Sequence, residues 1–126
     1  MASSVAPTAI LQIAVNVSNV PRAVAFYRDV LGLPLLFEVP PKMAFFMCGA
    51  VRLMLSTPDS PLFDHPGSIL YYRVDDIRAS YQSLLAKGVV FSGEPHLIAK
   101  MPDHELWLAD FHDSEGNTAA LMAEVR

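Results

Sequence analysis

The chain repeats itself, and the repeat limits what it can fold into. Val17-Ser18-Asn19-Val20 and Val74-Asp75-Asp76-Ile77 stand 57 residues apart, each where an apolar strand pattern runs into an amphipathic helix pattern. Ile10 to Val17 alternates and is rich in β-branched residues, which predicts a strand. Ser18 and Asn19 suit the cap of the next helix and Pro21 its first turn. Val20, Ala23, Val24, Tyr27, Val30 and Leu31 fall on one helical stripe, which Gly32 ends. Short strands are expected over Leu35–Val39, Met43–Cys48 and Val51–Ser56, with turns at Pro40-Pro41 and Gly49-Ala50. Thr57 to Gly67 carries Pro58, Pro61 and Pro66 and reads as a linker.

The pattern then restarts. Ser68–Val74 reads as a strand. Asp75 and Asp76 cap a helix with the stripe Ile77, Tyr81, Leu84 and Leu85, ended by Gly88. Strands follow near Val89–Phe91, Pro95–Lys100, Glu105–Phe111 and Thr118–Glu124. The expectation is an α+β fold of two tandem βαβββ modules, about 9–57 and 67–125, within one domain spanning 1–126. Neither half has enough strands to close alone. Together they form a curved mixed sheet, one curved unit per half with a helix on its convex side, leaving a concave ligand cavity.

Composition narrows the function. Of the 126 residues 52% are apolar and only 17% charged, so apolar surface is left over for a subunit interface or a greasy pocket. The net charge of −4 with no basic run argues against nucleic acid. No apolar run reaches the ~18 residues that a membrane span requires. Met1 to Thr8 lacks the basic start and long apolar stretch of a signal peptide. The single cysteine, Cys48, excludes an internal disulfide and fits a reducing, cytoplasmic setting. It reads as a small buried apolar side chain.

Two segments carry a family resemblance. Asn19 to Gly32 reads N-V-P-R-A-V-A-F-Y-R-D-V-L-G, and Asp113 to Asn117 reads D-S-E-G-N. In that order and spacing they resemble the vicinal oxygen chelate superfamily, which includes glyoxalase I, bleomycin-resistance proteins, extradiol dioxygenases and fosfomycin-resistance enzymes. The resemblance covers Leu11 to Met122. It implies metal ligands on the first and last strand of each half, at the places held here by Gln12, Met54, Ile69 and Ala120. Glutamine is an acceptable oxygen ligand there in glyoxalase-like members. Met, Ile and Ala offer no hard donor to a divalent ion. His65 and Glu124 share the parity of Ile69 and Ala120, but each is four residues away, roughly 13 Å along a strand. No metal and no other cofactor is expected.

Strand alternation places Ile13, Val15, Leu53, Leu55, Leu70 and Tyr72 against the helices. The inward set is then Gln12, Asn16, Arg52, Met54, Ile69, Tyr71, Arg73, Ala120 and Met122, a mostly apolar floor with a few polar groups. Arg52 and Arg73 either clamp an anionic ligand or reach solvent at strand ends. A cationic ligand such as bleomycin would call for a strongly acidic groove. Phe37, Phe45, Phe46 and Phe91 read as core or pocket wall. Between His96 and His112, the His104–Glu105 pair is either a general base or part of a solvent-exposed hairpin with Trp107 in the core. Asp113 and Glu115 read as turn formers without chemistry.

The resemblance thus implies a small-molecule-binding protein of the bleomycin-resistance kind, a homodimer with shared grooves, lacking the family metal. The alternative is a metal-dependent glyoxalase- or dioxygenase-like enzyme, a lyase or isomerase acting on vicinal oxygens. The linker permits the modules to pair within one chain or by strand exchange between two.

Overall fold

In the computed structural model, which describes residues 5–58, 61, 64 and 66–126, both repeat junctions fold as helix caps. The Asn19 side chain accepts from the Arg22 N–H at 2.9 Å, and the Asp76 side chain from the Ala79 N–H at 3.0 Å. Both caps have extended backbone, as an N-cap requires. Helix α1 (Val20–Ala25) continues into a π-helical turn, Phe26–Val30, closed by the Leu31 N–H on the Phe26 carbonyl at 3.0 Å. Helix α2 spans Ile77–Ala86. Gly32 (φ +79°) and Gly88 (φ +89°) end the two helices in the left-handed region that favours glycine. Among the described residues, no helix is long and apolar enough to cross a membrane.

The strands form two mixed sheets. The first holds β1 (Gln12–Asn16), β2 (Leu35–Val39), β3 (Met43–Cys48) and β4 (Val51–Ser56) in the order β1-β4-β3-β2. The second holds β5 (Leu70–Arg73), β6 (Val90–Phe91), β7 (His96–Lys100), β8 (Glu105–His112) and β9 (Thr118–Val125) in the order β5-β9-β8-β6, with β7 also on β8. In each sheet the first strand lies parallel to the last and the other pairs are antiparallel. β6 and β7 pair with successive stretches of β8, so together they take the place that β2 has in the first module. The α+β class and the two βαβββ modules are therefore as expected. The strand expected over Ser68–Val74 is shorter, because its pairing with β9 begins at Leu70–Ala119 and leaves Ile69 ahead of it.

Each sheet buries one face under its helix. Ala44, Phe46, Leu53 and Leu55 pack with Val20, Ala23, Val24 and Tyr27. Ala109, Phe111, Ala119, Leu121 and Ala123 pack with Ile77 and Leu84. Phe26 and Leu31 touch both clusters, so the end of α1 is the apolar bridge between modules.

A polar clasp locks the same seam. Tyr27, 2% exposed, donates its hydroxyl to Asp113 Oδ2 at 2.6 Å. Asp113 Oδ1 accepts from the backbone N–H groups of Glu115 (2.8 Å) and Asn117 (2.9 Å), and Asn117 Nδ2 donates to the Asn16 carbonyl at 3.0 Å. Glu115 Oε1 accepts from the backbone N–H groups of Ser18 (3.1 Å) and Asn19 (2.9 Å), and Arg22 Nε donates to Oε2 at 2.7 Å. The carboxylate thus sits at the positive end of α1, where anions are favoured. Arg22 above all, helped by Ser114, Ser18 and Asn19, pulls the Glu115 carboxyl down to about 2. Burial pushes the Tyr27 hydroxyl well above the ordinary phenol range. Asp113 and Glu115 do form the turn, and they also fasten the second module to the first. The two segments that carry the family resemblance are each other's partners.

Candidate functional site

The faces turned away from the helices hold the residues singled out by strand parity. On the first sheet, Gln12, Arg52 and Met54 come together. Arg52 Nε donates to Gln12 Oε1 at 2.6 Å, and Gln12 Nε2 lies 3.8 Å from Met54 Sδ. The Arg52 guanidinium also lies over the Phe45 ring, 5.6 Å from its centroid, within cation–π range. Phe45 stacks on Phe37 with centroids 4.5 Å apart and planes 24° from parallel. Phe45 is almost fully covered, whereas Phe37 is 47% exposed.

A β-bulge makes this platform. The β2–β3 register pairs Leu35 with Phe46 and then Phe37 with Phe45, skipping a residue. Leu35 therefore packs toward the core, and Phe37 turns to the outer face beside Phe45, Met54 and Arg52.

On the second sheet, Tyr71 pairs with Ala120 and Arg73 with Met122, so these four share a face. Ala120 is covered at 1% exposure, while Tyr71 stands out at 55%. Ile69 is half exposed and, with Asn16, lines a cleft of about 420 Å³ between β1 and β5. Among the described residues the two sheets share no strand pairing, so the nine residues form a first-sheet set and a second-sheet set, with the cleft between them.

The four places where the resemblance would put metal ligands fit a divalent ion poorly. Gln12 brings the one oxygen donor, and that oxygen already accepts from Arg52. A divalent ion there would lose a ligand and meet a guanidinium, while Met54, Ile69 and Ala120 add no hard donor. No three His, Cys, Asp or Glu side chains among the described residues gather where they could hold a metal ion. His65 lies outside the described residues.

The histidine-rich hairpin resolves into separate contacts. His104 Nδ1 lies 2.6 Å from Asp103 Oδ1 and its Nε2 lies 3.7 Å from Glu124 Oε2. The His104 hydrogen bond lowers the Asp103 carboxyl below its usual range. Glu105 instead accepts from Trp107 Nε1 at 3.1 Å. The two members of the alternative His104–Glu105 pair are thus divided, each residue having its own partner. Trp107 packs against the second core, as the hairpin reading required.

Solved structures resemble the whole chain. TnmS3, an antibiotic-binding protein from Streptomyces sp. CB03234, is 26% identical with a TM-score of 0.75, covering 96% of this chain and 99% of that one. Lactoylglutathione lyase from Agrobacterium tumefaciens is 23% identical with a TM-score of 0.70, over 93% of this chain and 94% of that one. A superfamily member from Sphaerobacter thermophilus DSM 20745 is 20% identical with a TM-score of 0.75, over 94% and 98%. No curated protein matches the chain by sequence. The family model of the Glyoxalase/Bleomycin resistance protein/Dioxygenase superfamily matches residues 9–121, and the chain belongs to that superfamily.

Proposed function

We propose that this protein binds a small, flat organic anion on its concave face, without the metal that catalytic members of the superfamily use. The observation that carries this reading is the Phe37–Phe45 stack capped by Arg52. A half-exposed ring stacked on a buried one offers an apolar plane. A guanidinium held by Gln12 and by the ring below it is oriented in advance, so a carboxylate meets little ordering cost. Tyr71, Arg73 and Met122 supply a similar mixture on the second sheet. TnmS3, the most similar in sequence of the three structures compared, is an antibiotic-binding protein, which supports sequestration over turnover.

The same reading makes the protein a cytoplasmic, single-domain homodimer. Leu36 and Val39 on β2 and Leu97 and Ile98 on β7 leave apolar side chain in water, each at least 39% exposed, and a second chain with two-fold symmetry would cover them. Sedimentation at micromolar concentration is expected to give a dimer. A monomer would remove this part of the proposal.

Binding is tested by calorimetric titration with a panel of one- to three-ring aromatic carboxylates. Saturable binding is expected, at least about tenfold weaker (~1.4 kcal/mol) in Arg52→Gln. The reading fails if none of the panel binds below millimolar concentration, or if Arg52→Gln leaves every affinity unchanged.

A further inference from the structure

The two halves of the repeat are joined by one clasp, although their pseudo-symmetry provides for two. Asn19 and Asp76 are equivalent caps, and the same offset of 57 residues relates Val30 to Lys87. It also relates Arg22 to Ala79, Phe26 to Ser83 and Tyr27 to Leu84. In the first module Arg22 and Tyr27 receive the acidic β8–β9 turn. The equivalent β3–β4 turn is only Gly49-Ala50, with no acid to insert, and α2 offers Ala79, Ser83 and Leu84 where α1 has Arg22, Phe26 and Tyr27. Where the second clasp would lie, the structure has an open cleft of about 750 Å³ between the end of α1, the β3–β4 turn and α2.

Its lining is unlike the rest of the molecule. Arg73 and Lys87 are its only charged residues, both cations, in a chain of net charge −4. Lys87 Nζ has one weak bond, 3.4 Å to the Val30 carbonyl, so an incoming carboxylate would be a better partner. Tyr72 also borders the cleft, its buried hydroxyl lying near that of Tyr27. Leu33, Leu84 and Leu121 supply apolar wall.

We infer that this cleft, on the helix side and sharing Arg73 with the opposite face, is a second ligand site for an amphipathic monocarboxylate, with its apolar body in the seam and its carboxylate on Lys87. The ligand would take the place of the missing acidic turn and fasten the second module to the first.

The chain's single cysteine makes the test specific, because Cys48 lines this cleft and is half-buried. The probe is decanoate below its micellar concentration. The readout is the rate at which N-ethylmaleimide alkylates Cys48 in the whole native protein. Decanoate is expected to slow the reaction at least about fivefold and decylamine to leave it unchanged. Lys87→Gln should weaken the protection at least about fivefold. Ser83→Phe, which restores the ring of the first module, should abolish it. Phe37→Ala, on the concave face, should keep it. The inference is overturned by a rate that decanoate does not change, by equal protection from decylamine, by full protection in Lys87→Gln, or by a Cys48 that native protein never exposes to the reagent. Should Ser83→Phe fail to fold, the Lys87→Gln comparison decides alone.

Discussion

The seam between the modules and the proposed binding face are both rich in polar side chains, and they use them in opposite ways. In the seam, Tyr27, Asp113, Glu115, Asn117 and Arg22 spend their hydrogen bonds on one another and on backbone groups. On the first sheet's outer face, Arg52 is oriented by Gln12 and Phe45 beside a ring left half in water. A closed network specifies an arrangement, whereas an oriented but incompletely satisfied group is prepared for something that arrives later. The residues by which the family is recognised belong to the first kind. They report how the modules are joined rather than which chemistry the fold hosts.

The strongest way to break this contrast is at its most connected atom pair. Asp113→Ala strands the Tyr27 hydroxyl and the backbone N–H groups of Glu115 and Asn117 in a covered place. A loss of about 3 kcal/mol or more in denaturant unfolding is expected, with aromatic-acid affinity of the folded protein kept within about twofold. Phe37→Ala should give the reverse pattern: unfolding within about 1 kcal/mol of the parent, and affinity at least about tenfold weaker. If both variants lose stability and affinity together, the two regions are not separable.

Acid gives a gentler test. The Glu115 carboxyl titrates near 4.5 when free and near 2 in the folded chain, so the unfolded chain takes up its proton first. Its stabilising effect is complete above about 4.5 and is lost as pH falls toward 2. Thermal melts of Glu115→Gln between pH 7 and 3 should show a shallower acid decline than the parent. Equal slopes would mean that the clasp does not hold the charged form.

Much of the fold was legible because period and punctuation agreed. β2, β3 and β4 fall where alternation and the turns at Pro40-Pro41 and Gly49-Ala50 put them, and both helices start at the expected caps. The π turn after Ala25 was not legible, since it is a one-residue slip in hydrogen bonding with no residue type of its own. Nor was the clasp, whose partners are 86 to 101 residues apart and meet only once both modules have formed. Parity put Gln12, Arg52 and Met54 on one face of the first sheet, and their side chains meet there because β1 and β4 pair without interruption. It missed Phe37 as Phe45's partner, because the β2 bulge reverses which side Phe37 faces.

The central claim is that Arg52 and the side chains of Met54, Ile69 and Ala120 exclude a cation where metal-using members bind one. It is tested most directly by elemental analysis of protein purified without chelator, alongside aromatic-acid titrations with and without EDTA. Substoichiometric metal and identical affinities are expected. One equivalent of zinc, nickel, manganese or iron per chain, lost in Gln12→Ala, would contradict the claim.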